Sequence, residues 1–195
     1  MIGERATAVL ARLEERDSRE REQGVARALR LRQVTQDVGR FLHVLVLASQ
    51  ARSVLEIGTS GGYSTIWLAL AARAAGGSVV SLELDPVKVR LARENIAAAG
   101  LSETTEVIEG DAFAYLRARG EPAQFVFLDA EKEDYLAYLD LIVPLLAPGG
   151  LLVADNLLSH ADDLAAFRAR ALAHPQLSAV VVPIGRGELL AVRTA

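Results

Sequence analysis

The feature that most constrains the fold is an alternation of short apolar runs with amphipathic segments, which begins at residue 53. Five of these runs are predicted strands, at 53–57, 79–84, 106–108, 125–128 and 151–154. Strands that alternate with helices form parallel α/β sheets, and continuously apolar strands fit a sheet covered by helices on both faces. Two further runs, 179–182 and 189–192, are joined by a few residues and must be antiparallel. The sequence therefore predicts a doubly wound, mostly parallel seven-stranded sheet with a C-terminal antiparallel hairpin.

The 195 residues are enough for one domain with a hydrophobic core. Residues 1–50 are predicted to form N-terminal helices that cap the molecule or make dimer contacts, and residues 51–195 form the α/β body. Within the first part, the Arg/Glu-rich stretch 1–32 predicts one or two exposed amphipathic helices, and 37–51 a more apolar helix. Because the composition changes only near residue 50, we expect a single compact domain.

Composition and charge exclude several classes of protein. A formal net charge of −4 disfavours non-specific nucleic-acid binding. The absence of Cys excludes disulfides, thiolate zinc sites and cysteine nucleophiles. The N-terminus has no secretory signal pattern, and no segment approaches ~18 uncharged apolar residues. We therefore expect no membrane span and a cytoplasmic location.

A glycine-rich loop, 58–62, follows the first predicted strand. Ligands of open α/β sheets bind beyond the carboxyl ends of the strands, and glycines let the backbone approach a ligand closely. The alternative interpretation is that these glycines only form a tight turn. Glycines at +3 and +4 from Gly58 do not fit the dinucleotide fingerprint, which has them at +2 and +5. Glu56, beside the loop, would repel a pyrophosphate and suits a ligand with a cationic portion.

Carboxylates also follow the second and third predicted strands. Glu83 can accept two hydrogen bonds from a ribose diol, or it is a solvent-facing strand end. Asp85 precedes a proline and is predicted to cap a helix rather than to contact a ligand. Asp111 either caps the next helix or accepts a hydrogen bond from an exocyclic amine, and the sequence leaves both interpretations open.

The fourth and fifth predicted strands end at Asp129 and Asp155, and Asn156 follows directly. If these strands are neighbours, two carboxylates and an amide oxygen converge at one edge of the sheet. Two close anions are unfavourable unless a cation offsets them, and all-oxygen ligation selects a hard divalent ion such as Mg²⁺. The alternative interpretation is two unrelated helix caps.

Lys132 stands out because only two of the 21 basic residues are lysines, Lys88 being the other. Arginine cannot act as a base, whereas a lysine near a cation can have its pKa lowered into a useful range. The alternative is a solvated lysine at a helix start, paired with Glu131 or Asp134.

Three segments that occur in order resemble the cation-dependent O-methyltransferases of the catechol and caffeoyl-CoA type, within the class I S-adenosylmethionine-dependent methyltransferases. They are 54–64, 127–132 and 153–156, and the stretch 35–42 is similar to the segment that precedes the family's core. The resemblance covers about 33–195.

The resemblance implies an O-methyltransferase with S-adenosylmethionine as cofactor and a divalent cation, Mg²⁺, acting on a small catechol-like hydroxylated acceptor. It implies that Lys132 is the base or charge stabiliser. The implied metal ligands are Asp129, Asp155 and Asn156. The implied cofactor-binding residues are Thr35, Glu56, Gly58, Gly62, Ser64, Glu83, Asp111, Ala112 and Asp129.

Departures from the family pattern leave the acceptor open. The segment 157–161 is short where many relatives have a longer substrate loop, and Glu131 stands where plant relatives often carry Asp.

Relatives are commonly dimers, so a homodimer is expected. A tRNA base hydroxyl is an alternative acceptor, favoured slightly by Arg27, Arg30 and Arg32. A nicotinamide-dependent oxidoreductase and a non-catalytic binding module are the alternatives from other classes.

Overall fold

A computed structural model describes residues 2–26 and 30–194 of the protein. The strands of this part of the chain are β1 (Ser53–Ile57), β2 (Ser78–Glu83), β3 (Thr105–Glu109), β4 (Ala123–Leu128), β5 (Leu146–Ala154), β6 (Leu177–Val182) and β7 (Glu188–Arg193). They form one sheet in the order β3-β2-β1-β4-β5-β7-β6. The pairs from β3 across to β5 are parallel, and β7 is antiparallel to both β5 and β6. The predicted fold class is confirmed.

Seven α-helices lie in the described ranges: α1 (Glu4–Glu22), α2 (Gln36–Ser49), α3 (Tyr63–Ala74), α4 (Pro86–Ala99), α5 (Ala112–Ala118), α6 (Tyr135–Leu145) and α7 (Ala165–Leu172). As predicted, Asp85 caps α4 by accepting a hydrogen bond from the Val87 N–H at 2.8 Å, and the helix ends before Gly100. No helix of the described part is both long and apolar enough to cross a membrane.

Helices cover both faces of the sheet, which explains the continuously apolar strands. One buried cluster joins α1–α4 to one face, and a second joins α5–α7 to the other. Successive strand residues point to opposite faces, so Val54 belongs to the first cluster and Leu55 to the second.

The N-terminal helices pack against the α/β body of their own chain. The apolar stripe of α1 is buried, and Arg12 of this helix donates a hydrogen bond to the Asn95 Oδ1 in α4 at 2.8 Å. The helix α2 packs on α3 at Gly39, where a Cβ atom would lie 2.4 Å from the Trp67 ring. Only the outer face of α1 is exposed, so the prediction of an exposed amphipathic helix holds for that face alone.

Most predicted elements are shifted at their ends by a few residues at most, and two differ in a more substantial way. The strand β5 begins at Leu146, before the Pro-Gly-Gly sequence that predicts a turn, because Leu146 pairs with Ala123 at the start of β4. The helix predicted over 133–146 is divided into a 3₁₀ turn (Lys132–Asp134) and α6.

Candidate active site

A cavity of about 490 Å³ opens beyond the carboxyl ends of β1, β2, β3 and β4. This is the edge at which open α/β sheets bind ligands, and the volume is in the usual range for a ligand site. Eight of the residues predicted from the sequence line it: Gly58, Ser64, Glu83, Asp111, Ala112, Asp129, Lys132 and Asn156. Their individual roles toward a cofactor or metal remain predictions.

The glycine-rich loop passes directly against the end of β4. The backbone of Gly58 has a φ of +101°, and a Cβ atom there would lie 2.0 Å from the carbonyl oxygen of Asp129. Only glycine fits this combination of backbone conformation and space. The close approach brings the predicted cofactor loop beside the predicted metal ligand Asp129.

Backbone donors hold Glu83 at the cavity wall. The Ser60 N–H donates to one carboxylate oxygen at 2.7 Å, and the N–H groups of Leu84 and Asp85 donate to the other at 3.0 Å each. The side chain is therefore fixed between the glycine-rich loop and the start of α4, where it can accept hydrogen bonds from a ligand in the cavity.

Asp111 combines the two interpretations that the sequence left open. Its carboxylate caps α5 by accepting the Phe113 N–H at 2.9 Å, and the residue also lines the cavity. The neighbouring Ala112 is buried at the same wall.

Glu56 lies beneath the glycine-rich loop and does not line the cavity. The Thr65 and Ser81 hydroxyls donate hydrogen bonds to its carboxylate. Burial raises the pKa of Glu56 to about 7, and hydrogen bonds from Ser64, Ser81 and Thr65 oppose the rise. Of these three residues, Ser64 also lines the cavity.

Two other predicted cofactor residues also lie off the cavity wall. Thr35 caps α2, where its hydroxyl accepts the Val38 N–H at 3.4 Å. Gly62 precedes α3 with a φ of +84°. Both therefore have local structural roles in addition to the cofactor contacts predicted for them.

The strands β4 and β5 are neighbours, as the metal hypothesis requires. Leu128 is in register with Ala154, so Asp129 and Asp155 leave the two strands at the same level. Asp129 and Asn156 line the cavity, whereas Asp155 is 4% exposed and its carboxylate accepts the Asn156 N–H at 2.6 Å.

The chemistry of these three side chains fits a hard divalent cation. Burial and the nearby Asp129 charge raise the pKa of Asp155, an unfavourable charge arrangement that a cation would relieve. Within residues 2–26 and 30–194, no group of three or more His, Cys, Asp or Glu side chains could hold a metal. The predicted ligand set combines two carboxylates with the Asn156 amide oxygen, and carboxylate and amide oxygens are donors that Mg²⁺ and Ca²⁺ take.

Lys132 faces the cavity rather than solvent. Its Nζ donates to the Asp129 carboxylate at 3.0 Å, to the Ala130 carbonyl at 2.9 Å and to the Tyr135 hydroxyl at 2.8 Å. The acidic partner that the structure shows for Lys132 is therefore Asp129, and Glu131 forms an ion pair with Arg32.

Glu188, at the start of β7, is a residue of this region that the sequence did not reveal. It is fully buried, and the register of β5 and β7 places it opposite Asp155. Neither carboxyl oxygen of Glu188 has a hydrogen-bond partner among the described residues. Burial and the nearby Asp155 charge raise the pKa of Glu188. The only sequence signal was an acidic residue directly before a predicted strand.

The segment after α1 also contributes to the cavity, which the sequence did not reveal. Arg32 forms an ion pair with Glu131 at 2.6 Å, and the Ser60 hydroxyl donates to the Leu31 carbonyl. The Glu131 carboxylate raises the pKa of Arg32. Arg30 and Arg32 line the cavity, and Arg27 lies outside the described residues.

Comparison with known proteins identifies the chain. Residues 11–193 match the family model described as O-methyltransferase. The chain belongs to this family. This O-methyltransferase is 41% identical over 168 residues to a catechol O-methyltransferase of Mycobacterium tuberculosis, a match that covers 78% of the chain and 75% of the relative.

Solved structures agree with this family. The O-methyltransferase from Bacillus cereus in complex with S-adenosylhomocysteine (SAH) has a TM-score of 0.81 and 30% identity, and the match covers 96% of this chain and 91% of that one. The O-methyltransferase TomG from Streptomyces achromogenes, solved with S-adenosylmethionine (SAM), has a TM-score of 0.80 and 29% identity, with 94% and 89% covered. The protein is thus a SAM-dependent O-methyltransferase. This assignment favours the methyltransferase hypothesis from the sequence over the nicotinamide-dependent oxidoreductase.

Proposed function

We propose that this O-methyltransferase requires a divalent cation, Mg²⁺ in the simplest case, and methylates one of two neighbouring oxygens on a small catechol-like acceptor. The observation that supports the proposal is that β4 and β5 are neighbours in register. Asp129, Asp155 and Asn156 therefore follow strand ends at one edge of the sheet, and Asp129 and Asn156 line the cavity. The name of the M. tuberculosis relative, a catechol O-methyltransferase, supports the acceptor class.

The cavity offers complementary groups for each part of SAM. Glu83 would accept hydrogen bonds from the ribose hydroxyls, because backbone donors already hold its carboxylate at the wall. Asp111 and Ala112 would contact the adenine at the start of α5. Gly58 and Ser64 would hold the methionine portion. The bound cofactor would supply the methyl group, which it carries on a cationic sulfonium.

The β4–β5 edge would prepare the acceptor oxygen for attack. A divalent cation held by Asp129, Asp155 and Asn156 would supply Lewis acidity that lowers the pKa of a bound hydroxyl. Lys132 stays beside Asp129 through its contacts with that carboxylate and with Tyr135. Because Nζ already donates three hydrogen bonds, the geometry favours stabilisation of negative charge on the acceptor oxygen over proton removal by Lys132. Positioning of the acceptor then supplies much of the rate enhancement.

A small acceptor is favoured over tRNA. The two described arginines that supported the RNA alternative both line the cavity, and Arg32 is neutralised by Glu131 at 2.6 Å. A homodimer remains the expected assembly, and light scattering of the purified chain tests it.

Methyl transfer measured as SAH formation tests the proposal. With Mg²⁺, catechol is expected to react, whereas phenol, which lacks the second oxygen, is not. Excess EDTA is expected to lower the rate by at least about 100-fold, because the cation contributes several kcal/mol of charge stabilisation, and Mg²⁺ restores it. Asp129→Asn is expected to lose activity, whereas Asp140→Asn, which removes an exposed partner of Arg170, retains it. Undiminished turnover in EDTA would refute the metal requirement.

A further inference from the structure

Arg186 lies in the turn 183–187 that joins β6 to β7, and it is half-buried at the cavity wall. Its backbone carbonyl accepts hydrogen bonds from the N–H groups of Leu158 at 3.0 Å and Ser159 at 3.1 Å. These two residues follow closely after Asn156, one of the predicted metal ligands. The turn is therefore attached to the edge of the sheet at which the proposed function places the acceptor.

The turn is held from a second side by the helix α2. A Cβ atom at Gly185 would overlap the Val38 side chain near the start of α2. Within the turn, the Gly187 N–H donates to the Ile184 carbonyl at 2.8 Å. Contacts with α2 and with the segment after β5 thus fix the backbone at Arg186, so that its side chain starts from a defined position beside the cavity.

The charge of Arg186 is not balanced by the described part of the chain. Two other cations of the cavity wall have acidic partners, Glu131 for Arg32 at 2.6 Å and Asp129 for Lys132 at 3.0 Å. The Arg186 side chain forms neither a hydrogen bond nor an ion pair with residues 2–26 or 30–194. A guanidinium in this situation is available to an anionic group of a ligand in the cavity.

We propose that Arg186 selects acceptors that carry a carboxylate. The substrate class is then small aromatic compounds with two neighbouring hydroxyls and a carboxylate on the ring or on a short chain. This inference rests on the proposed function, because that function places the two hydroxyls at the β4–β5 edge. The planar guanidinium presents its N–H donors in a fork that matches both oxygens of a carboxylate.

The charges of the proposed site are complete without Arg186. Asp129 and Asp155 would offset the divalent cation, and Lys132 would offset the negative charge that develops on the acceptor oxygen. Catechol itself offers no further anion, so Arg186 would be left without a partner when catechol binds. A carboxylate on the acceptor would remove this imbalance.

Calorimetry on the full chain saturated with SAH and Mg²⁺ tests the inference with 3,4-dihydroxybenzoate and 3,4-dihydroxybenzamide. The two compounds share the neighbouring hydroxyls and nearly the same shape, and they differ in charge. Arg186→Gln is expected to weaken binding of the benzoate by about 10-fold, which is the lower end for a hydrogen bond between charged groups because Arg186 is partly exposed. Binding of the benzamide is expected to weaken much less, and kcat/KM for SAH formation is expected to follow the same pattern.

Two further variants provide the comparison for Arg186→Gln. Arg168→Gln makes the same change in net charge at an exposed position of α7 away from the cavity wall, and it is expected to retain both affinities. Arg186→Lys keeps the charge without the planar fork, and it is expected to lose only part of the preference for the benzoate.

The outcomes separate the inference from the proposed function. Equal losses of affinity for the benzoate and the benzamide in Arg186→Gln, or wild-type affinity for both, would overturn the role of Arg186. Methylation of both compounds by the wild type that still requires Mg²⁺ would then leave the proposed function intact. Absence of Mg²⁺-dependent methylation of either compound by the wild type would overturn both. If Arg186→Gln does not fold, Arg186→Lys provides the same affinity comparison.

Discussion

Replacement of Glu56 by Gln removes the buried acid beneath the glycine-rich loop and is expected to change how stability depends on pH. Glu56 is fully buried and accepts hydrogen bonds from the Thr65 and Ser81 hydroxyls. A glutamine has nearly the same shape, and these hydroxyls can reorient to pair with its amide. The substitution therefore removes the titration while keeping most of the packing.

The size of the effect follows from the raised pKa. Burial moves the pKa of Glu56 from 4.5 to about 7, so the folded chain binds this proton more tightly than the unfolded chain. The stability that the proton contributes is fully present below pH 4.5 and is lost as the pH rises to about 7. At roughly 1.4 kcal/mol for each tenfold difference in proton affinity, the loss amounts to about 3 kcal/mol.

Urea unfolding of the ligand-free wild type and Glu56→Gln between pH 4.5 and 8 measures this contribution. The wild type is expected to lose about 3 kcal/mol relative to the variant over this range. Other buried acids, such as Asp155 and Glu188, titrate in both proteins and cancel in the difference. Two curves that remain parallel across the range would refute the assignment of a raised pKa to Glu56.

Three further substitutions test the site. Gly58→Ala is expected to lower the free energy of unfolding, measured in urea, by about 2 kcal/mol or more. Gly76→Ala, where φ is also positive but the space is open, is expected to lower it by less. Equal losses of stability in the two variants would contradict the close approach of Gly58 to β4. Asn95→Ala leaves the Gly61 carbonyl without its 2.8 Å donor and is expected to cost about 1–3 kcal/mol in the same assay; an unchanged midpoint would contradict this. Lys132→Met is expected to lower kcat by about 10²–10³-fold, because charge stabilisation at the acceptor oxygen is lost, while SAH affinity by calorimetry is retained. An unchanged kcat would exclude this role.

Much of the fold could be predicted because the local signals and the tertiary contacts agree. The apolar run 53–57 coincides with β1, and the Asp85-Pro86 and Gly100 signals mark both ends of α4. The early start of β5 could not be predicted, since its Pro-Gly-Gly sequence has local turn preferences. Pairing of Leu146 with Ala123, a tertiary contact, overrides these preferences.

The candidate site was predictable where position along a strand determines position in space. Asp129 and Asp155 follow strands that end at the same edge, so their proximity needs only the neighbouring order of β4 and β5. Glu188 could not be found in this way, because its position opposite Asp155 depends on the register of an antiparallel strand. The Arg32–Glu131 ion pair joins residues 99 positions apart, and no periodicity in the sequence indicates it.

Anomalous diffraction from crystals grown with SAH and Mn²⁺ tests the metal hypothesis most directly. We predict one anomalous peak coordinated by oxygen atoms of Asp129, Asp155 and Asn156, at the cavity edge between β4 and β5. A well-ordered SAH molecule in the cavity without any anomalous peak among these three side chains would contradict cation-dependent methyl transfer in this protein.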